Sequence, residues 1–376
     1  MRVVRCRLRD FRSYAKEEFE LGPGLTVVAG ENGAGKTNLL EALYFGCTGR
    51  SCRTGNEREL VAFGGGPARV EVETEDDAGA HVLAVGFTPG EPKHLQVDGA
   101  AVDKLSDSPA RPLVAVFLPD RLELVKGTPQ VRRAHLDQVI AALWPSRVVT
   151  RRSYAQVLAQ RNALLGRIRA GAAAADSLDT WDAQLADRGL ALMADRREAA
   201  EALREPFALH AGELGLTGEV DVAYRPRSKA DTAAELVAEL AERRHSDLER
   251  GFSGHGPHRD ELVLRREGRE LRTYGSQGQQ RLALLALLLA EHVAIGALRG
   301  HPPLLLRDDV MSELDAELRE RLVAAVTGSG QALVTTTDLA HVPGAEGRDA
   351  GDGPVVRRLR VADGRVVPAG PEAVAA

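Results

Sequence analysis

The chain opens in alternation. Val4, Cys6 and Leu8 fall between Arg5, Arg7 and Arg9, the period of two expected of a strand with one buried face. Val70, Val72 and Thr74 repeat the pattern, as do 81–87 and 94–97, with glycine turns at Gly79 and Gly90, so antiparallel strands are predicted. Two stretches are apolar without interruption, Leu25–Ala29 and 113–118, and read as buried strands, the second stopped by Pro119. At Thr128-Pro129 the period changes, because a cap residue followed by proline is a helix start. Helical texture continues to about Arg250. Leu178, Leu185 and Leu192 stand at heptad spacing, but too briefly for a long coiled coil, so a compact lobe is expected rather than an extended arm. A small Ala/Gly linker at 170–175 and a strand-like Val220-Asp221-Val222-Ala223-Tyr224 interrupt it.

Beyond 251 the α/β texture returns. A glycine- and histidine-rich loop (252–260) precedes a hairpin (262–271), an apolar helix (279–297), a buried strand (303–306), a helix (315–326) and a strand (331–335). After Val342 a glycine-rich tail carries little signal, and there are no repeats. The expected division is 1–127, 128–250, 251–342 and a tail, 343–376.

Between the strand Leu25–Ala29 and a helical stretch at 38–45 stands Gly30-Glu31-Asn32-Gly33-Ala34-Gly35-Lys36-Thr37, which fits G-x-x-x-x-G-K-[ST]. A glycine turn opening a helix points successive N–H groups into one hollow, to which the helix end adds partial positive charge. Such a nest takes polyphosphate. Lys36 would reach the outer phosphates and the Thr37 hydroxyl would ligate Mg²⁺. Just ahead, Asp10-Phe11-Arg12-Ser13-Tyr14 is either a plain turn between strands or a device placing Arg12 near the nucleotide.

Composition narrows this. With 44% apolar and 27% charged residues the chain is globular, and 376 residues suffice for two domains or lobes. A net charge of −5 confines any polyanion-binding surface to a local patch. Cys6, Cys47 and Cys52 form no C-x-x-C pair, which suits a reducing compartment. Arginines follow Met1 directly where a signal peptide would be apolar, and the longest apolar run, 282–290, is too short for a bilayer; a cytoplasmic protein is expected.

A nucleotide site also needs a metal-positioning carboxylate at the end of a neighbouring strand. Leu304-Leu305-Leu306-Arg307-Asp308-Asp309 offers Asp308 for Mg²⁺ and Asp309 as general base; alone, such a pair reads more simply as a helix cap. Arg307 is discordant in a buried strand. Tyr274-Gly275-Ser276-Gln277-Gly278-Gln279 opens a helix with small residues and resembles the signature loop of ABC-type ATPases. Ser312-Glu313-Leu314-Asp315 looks like that family's dimer-contact loop. The resemblance implies an α/β ABC-type P-loop ATPase head, of mixed sheets with helices, carrying an inserted, mostly helical lobe. It further implies that Ser276, Gly278 and Gln279 close in trans over a neighbour's ATP.

Together with Gly22-Pro23-Gly24, Thr48-Gly49-Arg50-Ser51 and Gly256-Pro257-His258-Arg259-Asp260, these motifs resemble the RecF family of the SMC/Rad50 class across nearly the whole chain. That resemblance implies an ATP-regulated dimer that clamps DNA at single-strand gaps and acts with RecR and RecO to load RecA. Two departures from the wider ABC pattern suggest slow hydrolysis. Thr337-Asp338 stands where a switch histidine is usual, making Thr337 the terminal-phosphate contact, and Asp309 is shorter than the usual glutamate. No Q-loop glutamine is evident; Pro119-Asp120 holds that position.

Between Thr128 and Ala170 lie eight arginines (132, 133, 147, 151, 152, 161, 167, 169) against one acid, Asp137. Arg132, Arg133, Arg151, Arg152 and Arg161 are the candidate DNA contacts, though a solvated helix face gives the same pattern. With few aromatics interleaved, duplex or junction backbone fits better than single strands there. His258 and Arg259 read as a structured turn or a phosphate or interlobe contact. A P-loop GTPase or kinase would leave the signature loop unexplained and lacks N-K-x-D; a scaffold with a vestigial site and a transporter ATPase subunit are the remaining classes.

Overall fold

Each N-terminal run of alternation becomes a strand. In the computed structural model, which describes residues 1–117, 122–311, 314–328, 330–345 and 356–369, β1 (Arg2–Phe11) and β2 (Tyr14–Glu20) form a hairpin. β3 (Leu25–Ala29) then feeds α1 (Lys36–Thr48). A meander follows, of β4 (Ala68–Asp76), β5 (Gly79–Phe87), β6 (His94–Val97) and β7 (Ala100–Ala101). β8 (Val114–Phe117) ends just before the expected Pro119, which with Leu118 and Asp120 lies outside the described residues.

Helices follow: α2 (Glu123–Lys126), α3 (Pro129–Leu143), α4 (Val148–Arg169) and α5 (Leu178–Glu213). Then come β9 (Val220–Arg225), α6 (Ala233–Glu242), α7 (Arg244–Arg250), β10 (Glu261–Arg266), β11 (Arg269–Glu270), α8 (Leu271–Tyr274) and α9 (Gln277–Arg299). The chain finishes with β12 (Leu304–Arg307), α10 (Ala316–Thr327), β13 (Ala332–Thr336), β14 (Val356–Ala362) and β15 (Arg365–Pro368). Two compact units result, 1–120 with 295–376, and 121–294. The sequence boundary at 250 therefore shifts, since residues 251–294 pack with the helical lobe.

The first unit holds two six-stranded sheets. One is antiparallel, in the order β2-β1-β4-β5-β6-β7; the other runs β15-β14-β3-β13-β12-β8 and is parallel except for β15. One core joins them, with Cys6, Leu8, Val70 and Val72 from the first, Leu39, Leu43 and Phe45 from α1, and Val28, Leu306 and Leu333 from the second. α1 is thus buried nearly all round, as a helix without a strong polar stripe must be. Its approach to the meander is so close that a Cβ on Gly46 would lie 2.5 Å from Val72 and 2.7 Å from Val70. The buried Gln331 amide bridges the sheets like a short piece of strand: it accepts from Val3 N at 2.8 Å and donates to the carbonyls of Val3 (2.6 Å) and Gly22 (2.8 Å). The expected featureless tail is corrected, for β14 pairs parallel with β3 in the middle of the sheet.

In the second unit Leu185 and Leu192 pack with Tyr154 and Leu240, while Leu178 packs with Leu164 and Leu165. β9 and β11 flank β10 in a three-stranded antiparallel sheet, so the strand-like 220–224 has its partner. α9 is apolar and long enough to cross a membrane, with mean hydropathy 1.8, but 67% of that stretch is buried inside the protein, as in a core helix. The loop 252–260 is a built turn. His258 Nδ1 accepts the Tyr154 hydroxyl at 2.7 Å, and Nε2 donates to Ser253 O at 2.9 Å. Arg259 lies exposed over the Phe252 ring at 5.6 Å.

Burial lowers the His258 pKa to about 4 from 6.5. The unfolded chain therefore takes up the proton first as pH falls, and stability present at neutral pH is lost between about 6.5 and 4. At pH 5 this one group should cost about 2 kcal/mol. Denaturant unfolding at pH 7 and pH 5 should show that loss in the parent and a smaller one in His258→Gln; equal losses would exclude the buried imidazole as the cause.

Candidate nucleotide site

The phosphate-loop sequence forms the turn its glycines require. Gly33 and Gly35 adopt φ of 84° and 111°, the left-handed region where a Cβ is costly. A side chain at Gly35 would also meet the Tyr14 hydroxyl at 2.9 Å and Ser13 Oγ at 3.0 Å, and one at Gly30 would lie 2.4 Å from Val361 O. The loop Gly30, Glu31, Asn32, Gly33, Ala34, Gly35 is thus clasped from two sides. Lys36 is buried, its ammonium donating to Gly30 O (2.7 Å) and Glu31 O (2.9 Å), so the charge sits over the hollow of the loop.

The turn between β1 and β2 braces this arrangement. Tyr14 donates to Gly35 O at 2.9 Å and Asn38 to Ser13 Oγ at 3.0 Å. Arg12, at φ 53°, makes a two-pronged ion pair with Glu41, both contacts 3.0 Å. Glu41 is fully buried in α1 and also takes hydrogen bonds from Ser51 and from Arg53 (3.2 Å). Arg12 therefore fastens the turn to the helix. The Thr48-Gly49-Arg50-Ser51 motif delivers Ser51 to the same carboxylate. Nothing in the spacing of Glu41 distinguished it from an exposed helix position.

At the opposite wall β12 ends in Asp308, whose carboxylate accepts the Thr37 hydroxyl at 2.8 Å. A third group joins them. Thr335, fully buried on β13, donates to Asp308 Oδ1 at 2.7 Å and accepts from Asp309 N at 2.9 Å. Thr335 went unnoticed in sequence because a threonine in an apolar strand looks like an ordinary β-branched residue; only the parallel pairing of β12 and β13 shows what its hydroxyl faces. Asp309 takes a left-handed φ of 42°, uncommon for a non-glycine residue. Thr337 follows β13 half-buried, and the neighbouring Thr336 O accepts Gly30 N at 3.2 Å, so β13 is tied to the start of the loop. A hydroxyl and a carboxylate 2.8 Å apart at a phosphate cradle suit Mg²⁺, a hard cation that takes one or two protein oxygens plus substrate phosphates. Among the described residues no group of three or more His, Cys, Asp or Glu competes as a metal site.

Arg307 does not open to solvent, and among the described residues it meets no acid. Its guanidinium is fully buried, stacked 4.6 Å from the centre of the Phe117 ring, and burial lowers its pKa to about 9.

In the second unit Ser276 caps α9. Its hydroxyl accepts Gln279 N at 3.2 Å while the Gln279 side chain accepts Ser276 N at 2.9 Å, a reciprocal capping box. Ser276 and Gly278 are exposed, Gln279 half-buried, and the buried Gln280 amide fixes the preceding turn by donating to Leu271 O at 2.9 Å. Ser312 and Glu313 of the expected dimer-contact loop lie outside the described residues.

Two expected DNA contacts are corrected. Arg161 is fully buried, bound to Asp182 (2.6 Å), Asp247 (2.7 Å) and Ser253 (2.7 Å), and Arg132 is buried in a two-pronged pair with Glu261 at 2.7 and 3.0 Å. Both are committed to internal acids distant in sequence, as buried charges must be. Arg133 is part-buried, donating to Asp260 O at 2.7 Å; Arg152 is exposed, and Arg151, also exposed, leans on Asp137 at 3.1 Å.

The AAA domain family matches residues 5–103. A DNA replication and repair protein RecF of Anaeromyxobacter sp. (strain Fw109-5) is 38% identical over 93% of this chain and 96% of its own. The chain belongs to the RecF family. Its counterpart from Synechococcus sp. (strain JA-3-3Ab) is likewise 38% identical, over 90% of this chain and 92% of its own. Among solved structures, that of the recombination mediator protein RecF-ATPrS in the RecFOR pathway superposes with a TM-score of 0.85 at 26% identity, covering 98% of both chains. An Smc head bound to the C-winged helix domain of ScpA shares the fold at TM-score 0.58 and 16% identity, covering 99% of this chain and 98% of its own. This RecF-family chain is thus built on an SMC-like, ABC-type ATPase head.

Replacing Thr335 by valine keeps its shape and removes the hydroxyl that serves Asp308 and Asp309. A destabilisation of about 1–3 kcal/mol is expected in denaturant unfolding, with weaker Mg²⁺-dependent nucleotide binding by calorimetry. An unchanged affinity would show that Thr335 does not position the carboxylate.

Proposed function

We propose that this chain is an ATP-dependent DNA-binding repair protein whose head dimerises on ATP and whose slow hydrolysis times its release. The observation that carries the reading is the exposed cap of α9, with Ser276 and Gly278 presented outward in the unit that does not contain the phosphate loop. A helix start with an exposed hydroxyl and free N–H groups is suited to a phosphate brought by another subunit. In this reading the loop from Gly30 to Gly35 and Lys36 hold the phosphates, and Thr37 and Asp308 would hold Mg²⁺, which when bound offsets charge on the outer phosphates. Asp309 orients and deprotonates water, Thr337 contacts the terminal phosphate, and Arg12 steadies the loop through Glu41. The RecF structures in complex with ATP and ATPrS support the choice of nucleotide.

The DNA surface assigned to the lobe reduces to Arg133, Arg151 and Arg152, reading duplex backbone at a single-strand gap in the cytoplasm. RecR and RecO as partners, and help to RecA, belong to this reading, which the RecFOR pathway named for a solved relative supports.

Size-exclusion light scattering should show the parent and Asp309→Asn as dimers with ATP and monomers without, the variant persisting longer. Lys36→Met should remain monomeric and lose ATP-dependent DNA retention; dimers of Lys36→Met that still retain DNA would point to a scaffold with a vestigial site. Replacing Arg151 and Arg152 by alanine should weaken duplex binding alike for all sequences and lower the salt slope by about 0.9 for each phosphate no longer neutralised. An unchanged slope would remove the lobe from the DNA surface.

A further inference from the structure

The outer face of the antiparallel sheet can be read row by row, because its register is fixed. One row sets Glu20, Arg5 and Glu73 side by side, and the next Glu18, Arg7 and Glu71. In each, a central arginine lies between two acids, with ion pairs such as Arg5–Glu20 at 2.9 Å and Arg7–Glu18 at 3.1 Å. The third row breaks the rule. Arg9 stands opposite Lys16 on one side and Arg69 on the other, and the row continues through Gly86 to His94. Like charges directly opposite destabilise a sheet. Among the described residues Arg69 finds an acid only along its own strand, Glu71 at 2.8 Å, and neither Arg9 nor Lys16 has an ion pair. All three cations are exposed, as is His94.

The row borders a groove of about 590 Å³ lined by Arg9, Asp10, Arg69, Gly86, Thr88 and His94 among others. Asp10 is the acid within it; its carboxylate faces Gly65 and Gly66 of the loop that carries Phe63, and its carbonyl accepts Ala62 N at 2.9 Å. Phe63 on that loop is fully exposed. Three cations across three strands span about 10 Å, wider than one phosphate but matched by consecutive phosphates of a backbone. An aromatic platform beside a cationic groove is the combination that holds single-stranded nucleic acid.

We propose that this row and Phe63 form a binding site for single-stranded DNA on the head, separate from the duplex surface of the lobe. The inference rests on the DNA-binding reading above. The phosphates lie along Lys16, Arg9 and Arg69, and a base stacks on Phe63.

The test is fluorescence anisotropy of the full chain with ATP, using oligo-dT and a duplex of equal length over a range of salt. The double variant Arg9→Ala/Lys16→Ala should lower the salt slope on oligo-dT by about 0.7 for each phosphate that loses its cation and leave the duplex slope as in the parent. Phe63→Ala should weaken oligo-dT binding about 5- to 150-fold. Neither should lower the thermal midpoint, since the double variant relieves repulsion and Phe63 packs against nothing. Parent-like oligo-dT binding in both variants, with duplex binding intact, would overturn this site while sparing the proposed function; such a row would then serve an acidic protein. A parent that binds neither DNA would instead overturn the proposed function itself.

Discussion

A helix enclosed between two sheets has no solvent to take its polar groups, and this constraint shapes the head. α1 must start at the phosphate loop, so its first residues carry charge and hydroxyl, and its body carries Glu41 with no exposed surface. Each group is met by a partner from a different part of the chain. Glu41 is held by Arg12, Ser51 and Arg53, and Thr37 by Asp308, which is in turn held by Thr335. An unpaired carboxylate in such a place would be expensive, so the three elements cannot move independently. The nucleotide cradle is rigid because its polar ends are the only way to finish a buried helix.

Much of this was legible in the sequence wherever a period or a turn required it. The alternation of β1 and the glycines of the phosphate loop each leave few conformations, and both were read as they occur. Asp308 was named because a nucleotide site needs a carboxylate at the end of a neighbouring strand, and the structure sets it against Thr37. Thr335 and Glu41 were not, because their roles come from neighbours 27 and 10 positions away, Asp308 and Ser51, across a sheet or a loop. The strands after residue 356 were missed for a related reason. β14 carries three arginines in seven residues, Arg357, Arg358 and Arg360 in Val356–Ala362, and only the parallel partner β3 makes those residues part of the sheet.

Counting charge misled in one instance and informed in another. Arginines in the lobe were read as a surface, yet Arg132 and Arg161 spend their charge on Glu261, Asp182 and Asp247 inside it. A local excess in sequence says nothing about pairing until the distant acids are placed. On the antiparallel sheet the logic reverses. There the arginines of β1 looked like an ordinary polar face, and only register shows that two rows are neutralised and the third is not.

The Asp309 edge of the site carries strain, as the Arg12 turn does. Asp309 holds a left-handed φ of 42°, a conformation that costs a non-glycine residue of order 1 kcal/mol, and two residues earlier Arg307 lies buried against Phe117. Stacking on a ring returns about 2 kcal/mol for a desolvated cation, less than the several that burying the charge costs. Both costs fall on the segment that follows Leu306, and both are borne by the hydrogen bonds of Thr335 and by the pairing of Asp308 N with Phe117 O at 3.0 Å. A carboxylate held in a strained backbone is held in one place, which suits orienting a water. It is also shorter than glutamate, so if it serves as the proposed base, the geometry that fixes it also limits its reach. In the proposed function, slow turnover is then a property of the strand end itself.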